Sequence, residues 1–221
     1  MATTVPPPSD QVALLRQRIA RLERGGLVGT DAGVDLVTHP DLAPVLRLRA
    51  GAAYSVDSTT LTLALMAGPS GAGAWCGVVG IDDLGLEAAA QWGVDLERTV
   101  LVPDPGEQWV EAVAALVDIA DLVVLRPPRG RIAPSLAERL AARLRERSAA
   151  LVVQGEWPRC AARLRLAEVS WSGVGRGEGL LRARRAVVEV HRGSAPPQRL
   201  VLGGEPVPAS TPMPMWAADA G

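Results

Sequence analysis

The residues with most to say about chemistry stand where an apolar run meets a helix start. Ala52-Ala53-Tyr54-Ser55-Val56-Asp57 reads as a short buried strand, and Ser58-Thr59-Thr60-Leu61-Thr62-Leu63-Ala64-Leu65 as the opening of a helix. A phosphate-binding loop sits between a strand and a helix of this kind. It needs glycines and a terminal Gly-Lys-Ser/Thr, so that backbone N–H groups and one ammonium converge on the phosphates of a nucleotide. Here no glycine falls between Gly51 and Gly68, and none of the 221 residues is a lysine, so every basic residue is an arginine or histidine. The expectation is a nucleotide-binding framework stripped of nucleotide chemistry. No residue is assigned a catalytic, cofactor-binding or metal-ligating role.

Other groups invite a chemical reading and also a plainer one. Asp82 and Asp83 are adjacent carboxylates that suit a base or a metal ligand, and equally the start of a helix, where they face its positive end. His39 and His191 stand far apart with no Cys or second His beside them, which argues against zinc. Gly68-Pro69-Ser70-Gly71 is followed by Ala72 where a nucleophile elbow needs its second glycine, and it reads as a loop before a strand. Gly173, Gly175, Gly177 and Gly179 lead into a strand, so they suit a hairpin loop better than an anion cradle. The densest basic patch is Arg176, Arg182, Arg184 and Arg185, with Arg192 nearby. These arginines are the candidate DNA-binding residues, with Trp157 available to stack on bases. The alternative is a charged edge strand protected from aggregation.

The elements that would position these residues alternate along the chain. Strands are expected at Ala52–Asp57, Trp75–Ile81, Thr99–Val102, Asp121–Leu125 and Ala149–Val153. Helices are expected at Thr59–Ala67, Leu84–Trp92, from the Asp104-Pro105 cap to Val117, and at Pro134–Arg147. That order implies a mostly parallel sheet flanked by helices. Leu164–Trp171 and Arg182–His191 alternate polar and apolar residues and read as an antiparallel hairpin extending the sheet, with a further strand near Arg199–Leu202. The fold class is therefore α/β. The expected divisions are a tail at 1–9, a helix at 10–26, a core domain at 27–203 and a tail at 204–221. Both tails are rich in Pro, Gly, Ser and Ala, and are expected to be disordered.

Two segments outside that core are candidate partner contacts. Val12, Leu15, Ile19 and Leu22 make one apolar stripe of a helix whose polar surface carries Arg16, Arg18, Arg21 and Arg24. The stripe either docks in a partner's groove or folds back on its own domain. Met215 and Trp216 form an apolar patch in the C-terminal tail.

Composition bounds the rest. A net charge of −1 provides no global field for nucleic acid. The two cysteines, Cys76 and Cys160, form no CxxC pair and read as buried thiols of a reducing compartment. No run is apolar enough for a signal peptide or a membrane span, so the expected location is cytoplasmic.

The order of segments also resembles the ATPase core of RecA recombinases between Thr59 and Arg126. Thr59-Thr60-Leu61-Thr62-Leu63, Gly93-Val94-Asp95-Leu96, Pro103-Asp104, Gly106-Glu107-Gln108 and Asp121–Leu125 carry the likeness. The functional positions do not follow: the phosphate loop is deleted, Arg126 stands at the Walker B carboxylate, and the counterpart of the catalytic Glu falls near Ile81. Within RecA-like proteins the chain resembles the ImuA type, in the degenerate form of high-GC bacteria. That likeness rests on Gly51–Val56, on Gly73–Gly80 and on Trp171-Ser172-Gly173-Val174-Gly175-Arg176-Gly177. The resemblance implies a non-enzymatic scaffold in damage-inducible, error-prone translesion synthesis. Its partner would be an ImuB-like inactive relative of Y-family polymerases and, through it, a replicative-type polymerase. A single-stranded DNA-binding accessory protein, a residual ATPase using Arg126 or Arg129, and a SulA-like division inhibitor are the alternatives.

Overall fold

Runs such as Leu122-Val123-Val124-Leu125 are apolar at every position because a strand buried on both faces has no polar side. Helical patterns between such runs then dictate crossovers. The computed structural model describes residues 34–172 and 183–203. In chain order these form β1 (Asp35–Leu36), β2 (Leu48–Arg49), β3 (Ala53–Val56), α1 (Thr59–Gly71), β4 (Cys76–Val79), α2 (Leu86–Gln91) and β5 (Thr99–Val102). There follow α3 (Trp109–Val117), β6 (Leu122–Leu125), α4 (Pro134–Arg147), β7 (Ala150–Gln154), β8 (Ala162–Ser172), β9 (Ala183–His191) and β10 (Gln198–Leu202).

The main sheet has eight strands in the order β10-β9-β8-β3-β7-β6-β4-β5. From β8 to β5 every pairing is parallel, and β9 pairs antiparallel with both β8 and β10. The fold is thus α/β, with a mostly parallel sheet flanked by helices and an antiparallel C-terminal extension, as the segment order implies. β1 and β2 form a separate antiparallel pair.

Each face of the sheet has its own core. On one, α1 and the turn holding Leu42 and Leu46 pack Leu61, Leu65 and Met66 against Tyr54, Val78, Val124, Leu164 and Val188. On the other, α3 and α4 pack Val113, Leu116, Leu140 and Leu144 against Val79, Val123, Leu125, Leu151 and Trp157. Tyr54 is buried to 2% exposure, and its hydroxyl accepts from Arg49 N at 2.7 Å and donates to Arg47 O at 3.0 Å. Burial raises its pKa.

Three local expectations are corrected. The stretch from Gly68 to Gly71 is the last turn of α1, not a loop. Gly68 is there because the backbone of Val37–His39 crosses the helix, and a Cβ would lie 2.5 Å from Val37 O. Pro69 and Ser70 are buried, and Ser70 Oγ accepts from Asp95 N at 2.8 Å, so tertiary contacts hold a turn that Gly-Pro alone would end. The helix expected from Asp104-Pro105 begins only at Trp109, after a 3-10 turn over Gly106–Gln108. Gly106 takes φ +55, a left-handed conformation that interrupts a right-handed helix. Trp157 is not available to bases; it is 2% exposed, within the core under α4.

Candidate functional site

In an open α/β sheet, ligands bind beyond the carboxyl ends of the strands, where successive connections diverge. Here that place lies between β4 and β6. The chain leaves β4 outward toward the edge strand β5, and leaves β6 inward toward β7. The residues just past these ends are Gly80, Ile81, Asp82 and Asp83 on one side and Arg126 on the other.

The crevice is closed by the chain itself. Gly80 N donates to Val102 O and Arg126 N to Val79 O, each at 2.9 Å, so the strands stay stitched beyond their ends. Gly80 takes φ +72, and a Cβ there would meet Arg126 O at 2.4 Å. Above this seam the Arg126 guanidinium spans the gap. Its Nη1 lies 2.7 Å from Asp83 Oδ1 and 3.6 Å from Asp82 Oδ1. Its Nη2 donates to Gln154 Oε1 at 3.2 Å, and Gln154 Nε2 donates to Thr59 Oγ1 at 3.2 Å. One polar chain therefore runs across the ends of β4, β6 and β7 to the first turn of α1. The hydrogen bond from Arg126 holds the Asp83 carboxyl below its ordinary pKa.

The connection from β3 to α1 is Asp57 and Ser58 alone. Ser58 is extended (φ −149, ψ 152) and its Oγ accepts from Leu61 N at 3.3 Å, an ordinary helix cap. Asp57 accepts from Leu166 N with both carboxylate oxygens at 3.2 Å, tying β3 to β8. Two residues with no left-handed glycine cannot turn several N–H groups onto a phosphate, and the Asp57 carboxylate repels one.

A second hollow of about 430 Å³ opens beside this connection, lined by Ser55, Asp57, Gln154, Glu156, Arg163 and Arg165. Its charges cancel: Glu156 lies 3.4 Å from Arg163 and 3.7 Å from Arg165. Among the described residues no group of three or more His, Cys, Asp or Glu is placed to hold a metal ion.

A family sequence model, described as the MT3502 N-terminal domain, matches residues 41–159, more than half of the chain. The chain belongs to that family. The match to the MT3502 N-terminal domain begins at Asp41 and ends inside the β7–β8 crossover, so it takes in β2 to β7 with the helices between them and stops short of β8 and the hairpin. A curated relative, the uncharacterized protein Rv3395c of Mycobacterium tuberculosis, is 33% identical over 157 residues, which is 71% of this chain and 76% of the relative.

The residues singled out from sequence fall in different places. Arg126, Asp82 and Asp83 converge, as a closed ion pair. Asp82 and Asp83 do not start a helix, because α2 begins at Leu86 behind Gly85. Arg185 is exposed on β9, paired with Ser170. Arg184 is on β9 by its backbone, paired with Trp171, while its side chain lies outside the described atoms. Arg176, Arg182, Val12, Leu15, Ile19, Leu22, Met215 and Trp216 all lie outside the described residues. His39 rests on Trp92, ring centroids 5.5 Å apart, and its Nδ1 accepts from Asp41 N. His191 lies 3.3 Å from Glu189. The residue missed from sequence is Gln154, which has no motif, while Thr59 entered only within the Thr59–Leu63 run; the register of β3 with β7, Val56 opposite Gln154, brings the two together. Among the described residues no helix is long and apolar enough to cross a membrane.

Proposed function

We propose that this protein is a non-catalytic, RecA-like scaffold of the ImuA type. It binds an ImuB-like inactive relative of Y-family polymerases, and so helps to assemble a damage-inducible complex for error-prone translesion synthesis. The observation that carries this reading is the closed carboxyl end of the sheet. Arg126 sits against Asp83 where a metal-binding carboxylate would stand, and two residues replace the phosphate loop. A framework built for a nucleotide, with the nucleotide position taken by its own side chains, retains surfaces as its means of action. The parallel sheet with its hairpin extension supports the RecA-like half of the reading, as the fold that the resemblance implies.

Described arginines near the hairpin are largely spoken for. Arg163 and Arg165 face Glu156, and Arg199 pairs with Glu189 at 2.6 Å. This favours a protein partner over a phosphate backbone. The candidate contacts remain the Val12, Leu15, Ile19, Leu22 stripe and the Met215-Trp216 patch.

Co-expression with the ImuB-like protein of the same genome, followed by size-exclusion chromatography with light scattering, tests the assignment. A stable complex is expected, weakened by deletion of residues 1–25 or of 204–221. Two separate monomeric peaks at low salt would refute it.

A further inference from the structure

An edge strand leaves half of its backbone hydrogen-bonding groups without a neighbour, and natural sheets guard such edges with charge, proline or bulges. The two edges of this sheet are guarded unequally. β10 follows Pro196-Pro197 and carries Gln198 and Arg199. β5 is Thr99-Val100-Leu101-Val102, with no charged residue and no proline within it.

The register with β4 decides which groups of β5 are free. Val102 O accepts from Gly80 N at 2.9 Å, so Val102, and Val100 two residues before it, turn their backbone groups to β4. The backbone groups of Thr99 and Leu101 then point away from the sheet. Thr99 N is taken by Leu96 O, which leaves Thr99 O, Leu101 N and Leu101 O without a partner among the described residues. The side chain of Leu101 is 39% exposed, and Leu96, in the 3-10 turn just before the strand, is equally so.

We propose that the β5 edge is a docking site for an extended, basic segment of a partner protein, which adds a strand to the sheet. Charge selects that occupant. From Asp82 to Asp121 the chain holds ten carboxylates and a single cation, Arg98. Glu97 stands two residues before β5, and Asp104 and Glu107 follow it. All three are exposed and form no ion pair among the described residues. Leu96 and Leu101 call for apolar side chains in the middle of the segment, and the carboxylates for arginine or lysine at its ends. A second copy of this chain is a poorer match. Its basic edge is β10, where Arg199 is held by Glu189 at 2.6 Å and the neighbouring Arg192 donates to Gln198 Oε1 at 2.7 Å. Docking of this kind does not depend on the ImuB-like assignment, whose failure would leave the edge as it is.

The test uses the full-length protein and a fluorescent, end-blocked peptide in which paired arginines flank Val-Thr-Val. Saturable binding is expected by anisotropy at low salt, weakening as salt rises. Leu101→Pro deletes the outward N–H and leaves the ladder to β4 in place, so it should weaken binding about tenfold. N-methylation of the central peptide amides should do the same against the wild type, which decides the matter even if the variant fails to fold. No binding up to millimolar peptide overturns the proposal, as does an unchanged affinity in Leu101→Pro with a wild-type urea midpoint. Equal binding of the N-methylated peptide also overturns it, because the attraction would then be charge alone. A peptide-free mass that rises with protein concentration in light scattering would make the occupant a second copy, and overturns it as well.

Discussion

Arg126 joins three strand ends through one guanidinium, with Asp83 as its tightest partner at 2.7 Å and Gln154 on its far side. The Asp83 carboxyl is held low by that bond, and the sign of its effect on stability follows. A carboxyl whose pKa is lower in the folded chain than in the unfolded one stabilises the fold at neutral pH. That contribution disappears as pH falls through the lowered value. Arg126→Ala should therefore reduce stability in urea more at neutral pH than in strong acid, where only its hydrogen bond to Gln154 is still lost. Equal deficits at both pH values would show that Arg126 acts through packing alone. Tyr54 makes a different claim at the same scale. Tyr54→Phe leaves Arg49 N and Arg47 O without their partner, at a cost of about 1–3 kcal/mol in urea unfolding. Of this chemistry the sequence displays the participants and not the pairing. Arg126, Asp82 and Asp83 stand out as residue types in unusual positions. Their meeting depends on β4 and β6 being neighbours, and no spacing in the chain states that.

Helices and strands were legible where pattern and context agreed. Pro134–Arg147 and Thr99–Val102 have the bounds that their periodicity implies. They failed where a tertiary contact overrode a local signal. Gly68-Pro69 reads as a stop, yet α1 continues because Gly68 lets the Val37–His39 backbone pass and Ser70 caps the Asp95 amide. Gly68→Ala forces a Cβ against Val37 O and should destabilise the fold by about 1–3 kcal/mol in chemical denaturation. A neutral substitution would mean that the segment before β2 yields freely. The crossover at 155–161 misleads in the opposite sense, since Trp157 beside arginines suggests an exposed aromatic. It is buried in the core under α4, and Trp157→Ala should cost about 3–5 kcal/mol, read as a fall in the urea midpoint.

At the scale of the whole molecule, the alternation of apolar runs and helical patterns was enough to imply a parallel sheet with an antiparallel end. The order of its strands was not, because crossovers over several neighbours leave no mark in sequence. The order matters for function. It sets the divergence of connections between β4 and β6, and so the place where a ligand of this sheet would bind. The MT3502 N-terminal domain family covers this part of the chain, from the turn after His39 to the crossover, so the closed seam lies inside the shared unit. We propose that the seam leaves no room for a nucleotide, and that the molecule acts through its surfaces. Isothermal titration of the full-length protein with magnesium ATP tests it most directly. No saturable heat is expected at millimolar nucleotide. A binding isotherm near one site per chain, with a dissociation constant on the order of micromolar, would contradict it.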